Sequence, residues 1–258
     1  PLGFGIQAAE KTYRTYTFSV RNPGGHSSRP RPDNAIYELA TALKKLEAFS
    51  FKPGLNEVTK AYFTERAKIE TGKLGDAMQR WVANPGDREA ADIIEADPTE
   101  VGTTRTRCVA TRLEGGHADN ALPQLARATV NCRILPGIDP ADVEARLKQL
   151  AGEGVEVRMS DAFGAPTDAS PLRDDMVSAY TRAVQKRHPG MPIIPAMSTG
   201  ATDGLFFRAI GIPVYGVSGE WIISPEDERA HGRDERNPVK SFHQNLDIWY
   251  EMIGELAG

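Results

Sequence analysis

Tyr13-Arg14-Thr15-Tyr16-Thr17-Phe18-Ser19-Val20-Arg21 sets Tyr16, Phe18 and Val20 on one side and Thr15, Thr17 and Ser19 on the other. A period of two places a half-buried strand here. Asn22-Pro23-Gly24-Gly25 ends it, and Asp33 offers the N-cap of a helix whose Ile36, Leu39, Ala40, Leu43 and Leu46 recur at helical spacing. That helix is expected to pack on the strand's apolar face. Two further strands are read at 104–113 and 125–134, joined by the polar turn Glu114-Gly115-Gly116-His117-Ala118-Asp119-Asn120. Asp139 then caps a second helix with Pro140 in its first position and Val143, Leu147 and Leu150 on its apolar face. A short strand at 155–159 closes the unit.

Strand, helix, strand, strand, helix, strand is the split βαβ order of a ferredoxin-like domain, a four-stranded antiparallel sheet with both helices on one face. Residues 51–102 are too many for a simple loop. They read as a helical insertion, with Val58, Ala61, Tyr62 and Ile69, then Leu74, Met78, Trp81 and Val82, at helical spacing. After Asp161 the small-residue stretch 163–171 marks a boundary, and the grammar changes to helix (172–187), strand (193–196), a helix opened by Thr202-Asp203, strand (214–217) and helix (239–256). Such alternation signals a layered α/β sheet, yet two strands do not make a stable sheet alone. The missing strands are expected to come from outside this chain segment. The reading divides the chain into 1–12, the end of a preceding segment or linker; 13–162, the ferredoxin-like domain with its insertion; and 163–258, part of an α/β domain.

The 258 residues are 40% apolar and 26% charged, which is enough for a real core, and the net charge of −4 is interspersed. No basic patch recommends nucleic acid, and no apolar run approaches the roughly 20 residues of a spanning helix, so neither nucleic acid nor membrane is an expected partner. The compartment stays open. The chain starts at Pro1 without a Met, so Pro1 is expected to be internal to a longer protein. Cys108 and Cys132 stand too far apart for a CxxC clip and are expected to be buried thiols; Cys132 shares the apolar side of its strand with Ala126, Ala128, Val130 and Ile134. A redox or metal role for the pair is the least favoured reading.

Three segments carry candidate chemistry. Gly24-Gly25-His26-Ser27-Ser28 sets a histidine in a glycine-rich turn, either solvated or aimed at something close. Ser198-Thr199-Gly200-Ala201-Thr202-Asp203-Gly204 runs from a strand end to a helix start, where amides and hydroxyls suit a carboxylate or simply cap the helix. Ala230-His231-Gly232 lies in a charged loop, where the histidine is a metal ligand, a general acid or a solvated residue. His117 is equally open, while His188 and His243 read as surface residues.

Taken in order, Gly25-His26-Ser27-Ser28, Asn34-Ala35-Ile36, Gly115-Gly116 with Asn120-Ala121-Leu122-Pro123, Asn131-Cys132-Arg133, Gly200-Ala201-Thr202-Asp203 and Ala230-His231-Gly232 resemble the di-zinc aminoacylase/carboxypeptidase/desuccinylase family of metallopeptidases, with the tone of its carboxypeptidase S-like members. The resemblance implies a hydrolase that cleaves an amide beside a free carboxylate, in a small peptide or an N-acyl amino acid, using two bridged zinc ions. It makes His231 a zinc ligand, and His26 the lid histidine that stabilises the oxyanion, often in the partner's site of a homodimer. Thr199, Gly200 and Thr202 match the turn facing the substrate carboxylate, Asn120 a lid asparagine that holds substrate, and Arg133 a weaker carboxylate-binding candidate. The family's other zinc ligands and its general base precede the lid, so this chain alone, with at most one ligand, is expected to be inactive. The alternative is a non-catalytic dimerisation or binding module derived from the family.

Overall fold

The computed structural model describes residues 3–161, 164–223, 226–227, 229 and 232–258. The chain opens with two strands, β1 (Phe4–Glu10) and β2 (Thr12–Arg21), then a short β3 (Gly25–His26) and helix α1 (Ala35–Ala48). Three helices follow, α2 (Glu57–Ile69), α3 (Gly72–Ala83) and α4 (Arg88–Ala96). Then come β4 (Arg107–Gly115), β5 (Ala121–Leu122), β6 (Leu125–Ile134), α5 (Pro140–Ala151) and β7 (Glu156–Asp161). The last part holds α6 (Asp174–Gln185), β8 (Ile193–Ser198), α7 (Gly204–Arg208), β9 (Gly216–Val217) and α8 (Val239–Ala257).

The lid sheet has the order β4-β6-β2-β7 with every pairing antiparallel, the ferredoxin-like arrangement expected from the element order. Its apolar face carries Tyr16, Phe18 and Val20 from β2 and Ala128, Val130, Cys132 and Ile134 from β6, buried under Leu39, Ala42 and Leu46 of α1 and Val143 and Leu147 of α5. Burying side chains of this size contributes about 1.5–3 kcal/mol each before entropy is charged against it. Asp139 caps α5 as expected, accepting from the Ala141 amide at 2.8 Å. At α1 the cap is Asn34, whose Oδ1 accepts from the Ile36 amide, because Asp33 is engaged with Arg31. The α1 stripe is split as well. Leu39 and Leu46 enter the core, whereas Ile36 and Leu43 face a groove between α1 and β4.

Two expectations are corrected. Cys108 and Cys132 are not thiols; they pair in register across β4 and β6 with Cα atoms 4.1 Å apart and form a disulfide. Sequence distance hid this, since the cysteines are 24 positions apart and the chain between them folds back as a hairpin. His188 is not a plain surface residue: its ring lies 4.9 Å from that of Phe4, and its Nε2 is buried without a hydrogen-bond partner among the described residues.

The insertion helices α2–α4 form a small core of their own around Phe63, Met78, Trp81 and Ile94, with an Asn56–Thr59 capping box starting α2. The second sheet has the order β8-β1-β9, so its central strand comes from the first residues of the chain, ahead of the lid. β1 runs parallel to β8 and antiparallel to β9. Phe4 and Ile6 pack with Met176 and Tyr180 of α6 and Ile248 and Met252 of α8. Both lid and second sheet therefore hang on the junction between β1 and β2, at Glu10 and Lys11.

Candidate functional site

β8 ends at Ser198, and the turn that follows is held by protein groups on every side. Lys11 donates its backbone N–H to the Ser198 carbonyl at 3.0 Å. The Gly200 amide donates to Ser198 Oγ, the Gly204 amide to Thr202 Oγ1, and the Thr202 amide to Glu10 Oε2 at 2.6 Å. These three amides are thus already occupied, one of them by an internal carboxylate. The face presented outward is the exposed side chains of Thr199 and Thr202 with partly exposed Gly200. Glu10 is fixed in turn by Arg208, whose Nη1 donates to Oε1 at 2.7 Å with both side chains almost fully buried, at 2% and 3% exposure. Arg208 also donates to Ser170 Oγ and the Val214 carbonyl. A buried ion pair is tolerated only when its remaining donors and acceptors are satisfied in this way.

Lys11 faces the other direction. Its side chain is 1% exposed, and Nζ donates to the Arg105 carbonyl at 2.6 Å. Burial pushes its pKa down to about 8; Glu95 opposes the shift, and Arg107 and Arg133 add to it. Glu95 is itself saturated. Its Oε1 accepts from the Gly102 amide at 2.9 Å and Arg107 Nε at 2.6 Å, and its Oε2 from the Thr104 amide and hydroxyl. Gly102 sits at φ +84°, and a methyl group there would lie 3.5 Å from Thr199 Cγ2 and 3.7 Å from Lys11 Nζ. The exit of the insertion and the Thr199 turn are therefore in contact. Arg133 belongs to the same corner: it stands opposite both Tyr13 and Arg107 in the sheet, lies 4.6 Å over the Tyr13 ring, and donates to Asn131 Oδ1.

His26 and Asn120 are brought together elsewhere. β3 pairs with β5, His26 opposite Ala121, and the Ser27 amide donates to the Asn120 carbonyl at 2.9 Å. Gly24 makes the approach possible: at φ +76° a side chain there would meet Gln124 Cγ at 2.7 Å. Both His26 and Asn120 are exposed. His26 Nδ1 accepts from the Ser28 amide at 3.2 Å, so in the neutral ring the hydrogen resides on Nε2, which is free to donate. This pair lies at the far end of β2 from Arg133. Thr12 and Arg21 bound that strand, whose nine steps span roughly 30 Å.

His231 lies outside the described residues. Among those described, no three His, Cys, Asp or Glu side chains converge on a point where a metal could sit, so they do not by themselves fit a metal centre. No described helix is long and apolar enough to cross a membrane. Sequence reasoning passed over Glu10, Lys11 and Glu95, because a buried charge leaves no mark in hydrophobic periodicity.

A family model described as the peptidase dimerisation domain matches residues 8–157, and the chain belongs to that family. A probable carboxypeptidase S-like protein of Dictyostelium discoideum is 24% identical over 249 residues, covering 96% of this chain and 47% of its own length. The N-fatty-acyl-amino acid synthase/hydrolase of Homo sapiens is 28% identical over 255 residues, covering 96% and 50%. Aminoacylase-1 of Mus musculus is 28% identical over 240 residues, covering 90% and 48%. The chain spans about half the length of the curated relatives it matches. The fold is shared with the M20 family metallo-carboxypeptidase of Sulfolobus solfataricus, at TM-score 0.67 and 19% identity over 97% of this chain and 60% of that one. Human carnosine dipeptidase 1 superposes at TM-score 0.62 with 13% identity over 99% and 57%.

Proposed function

We propose that these residues are the lid and part of the catalytic domain of a metal-dependent hydrolase that cleaves an amide bond beside a free carboxylate, in a small peptide or an N-acyl amino acid. The relatives' names supply the reaction class, and the chain's own residues supply the roles. Thr199, Gly200 and Thr202 form the surface that receives the substrate, with the Arg133 guanidinium beside it for the carboxylate. His26 offers an Nε2–H for the developing oxyanion, and Asn120 is its neighbour on the same ribbon. Zinc, with His231 as one ligand, is carried over from the family resemblance. It supplies the polarised carbonyl and the nucleophile when the remaining ligands are present.

The observation that carries this reading is the separation of His26 and Asn120 from Thr199 and Arg133 by the length of β2. One protomer does not gather its own site, so the lid histidine acts in the partner of a homodimer. The surface for that dimer is the β4 edge with α1: Val109 is 59% exposed and Leu113 68%, and Ile36 and Tyr37 are exposed beside them. An open strand edge of this kind pairs readily with its own copy under two-fold symmetry. Among the described residues the second sheet has three strands, and α8 leaves Val239, Phe242, Leu246 and Ile253 exposed as one apolar stripe that a further catalytic layer would cover.

Light scattering across micromolar concentrations tests the dimer. The chain is expected to run as a dimer, and the double substitution Val109→Asp with Leu113→Asp to leave a folded monomer. A monomeric wild-type chain contradicts the reading. The 258 residues alone are expected to hydrolyse no N-acyl amino acid, and turnover by the purified chain contradicts that part.

A further inference from the structure

We infer that Arg107 is a specificity-determining residue that tunes the carboxylate corner for substrates bearing a second carboxylate, such as N-acyl glutamate or a peptide ending in an acidic residue. This rests on the reading of Arg133 and the Thr199 turn as the substrate surface.

The starting point is a register. Arg107 of β4 stands directly opposite Arg133 of β6, and Arg133 opposite Tyr13 of β2, in one row on the sheet face away from α1 and α5. Like charges directly opposite each other on neighbouring strands are destabilising. Lys11 adds a third cation to the same corner, and it is repelled by both arginines. One carboxylate, Glu95, answers Arg107 and Lys11, and its two oxygens already receive four donors. Two further acids are paired elsewhere, Asp92 with Arg105 and Glu10 with Arg208. An excess of positive charge is therefore built into the corner at a cost in stability.

The corner also has the right position. Arg107 is bonded through Nε to Glu95, which holds the Gly102 amide, and Gly102 lies against Thr199. Arg107 is 44% exposed, so part of its side chain stays open to solvent beside that contact. Arg133 is fixed over Tyr13 and by Asn131. A single guanidinium suffices for one carboxylate in a two-pronged contact. Two side by side, with a buried ammonium beneath, suit two carboxylates on one molecule.

The test uses N-acetylglutamate and N-acetylglutamine, which share a shape and differ by one charge, titrated into the purified chain and followed by NMR. Wild type is expected to bind N-acetylglutamate about tenfold more tightly. The preference should shrink as salt is raised, and Arg107→Gln should reduce it to within about threefold while leaving N-acetylglutamine unchanged. Equal binding of the two ligands by wild type overturns the inference, as does a preference that survives in Arg107→Gln. If that variant does not fold, the wild-type comparison and its salt dependence decide alone. Arg133→Met separates the two readings: loss of both ligands supports Arg133 as the carboxylate residue. Unchanged binding of N-acetylglutamine removes the Arg133 assignment and this inference with it, whereas loss of both ligands with no charge preference in wild type removes the inference alone. Binding of neither ligand by wild type removes the subsite and this inference with it, while the dimer test stands apart.

Discussion

The side chain of Lys11 donates to the Arg105 carbonyl while its backbone amide donates to the carbonyl of Ser198, so one residue ties the exit of the helical insertion to the start of the Thr199 turn. The ammonium is buried and its pKa is lowered from 10.5 to about 8, chiefly by desolvation. The unfolded chain therefore binds more protons than the folded one between those values. Stability is expected to rise with pH there, by about 1.5 kcal/mol between about pH 8 and about pH 9.5. The window stops short of pH 10, because Tyr16 and Tyr180, both pushed up to about 12 by burial, act in the opposite direction above it. Urea unfolding of wild type and Lys11→Met at several pH values checks this; the rise should vanish in the variant.

Glu10 and Arg208 are expected to behave as a unit. Arg208→Met leaves the Glu10 carboxylate buried with, among the described residues, the Thr202 amide as the partner of its side chain, and should cost about 3–5 kcal/mol. Glu10→Leu combined with Arg208→Met should cost less than the sum of the single changes. A double-mutant cycle by denaturant unfolding measures the coupling, and additive losses would show that the pair does not hold the turn.

The Cys108–Cys132 link gives a simple chemical prediction. The purified chain should gain about 2 Da on reduction, and losing a cross-link that closes a loop of this length should cost about 3 kcal/mol by the chain-entropy relation. Intact-mass spectrometry with and without a reductant, followed by thermal unfolding of both forms, reads both quantities.

Much of the lid was legible in the sequence, for definite reasons. Tyr16, Phe18 and Val20 alternate because one face of β2 is buried, and Asp139-Pro140 is an N-cap followed by a residue that needs no amide partner. β1 was not legible: Phe4-Gly5-Ile6-Gln7-Ala8-Ala9 is short and rich in Gly and Ala, and its strand partners are almost 190 residues away or more in sequence. The disulfide went unread for a related reason, since Cys108 and Cys132 meet only through the register of β4 on β6. Within the candidate site, His26, Asn120, Arg133 and the Thr199 turn were each noticed as residues. Their grouping was not, because local spacing says nothing of which ends of a sheet lie together. That grouping is what separates His26 with Asn120 from Arg133 with Thr199.

If these residues serve the metal-dependent hydrolase proposed above, His26→Ala in that complete enzyme is expected to lower turnover by at least about a hundredfold, as loss of one oxyanion donor does elsewhere. Metal content should be unchanged. Loss of metal in this variant would mean that His26 is a ligand and that its role has been misassigned.

The most direct test of the account is complementation between two crippled forms of the proposed complete hydrolase, His26→Ala and Arg133→Glu, unfolded, mixed and refolded together. If His26 acts in the partner's site, each mixed dimer contains one site with His26 from one protomer and Arg133 from the other, and random pairing restores about a quarter of wild-type activity. If the mixture stays as inactive as either variant alone, His26 and Arg133 serve within one protomer, and the trans assignment is wrong.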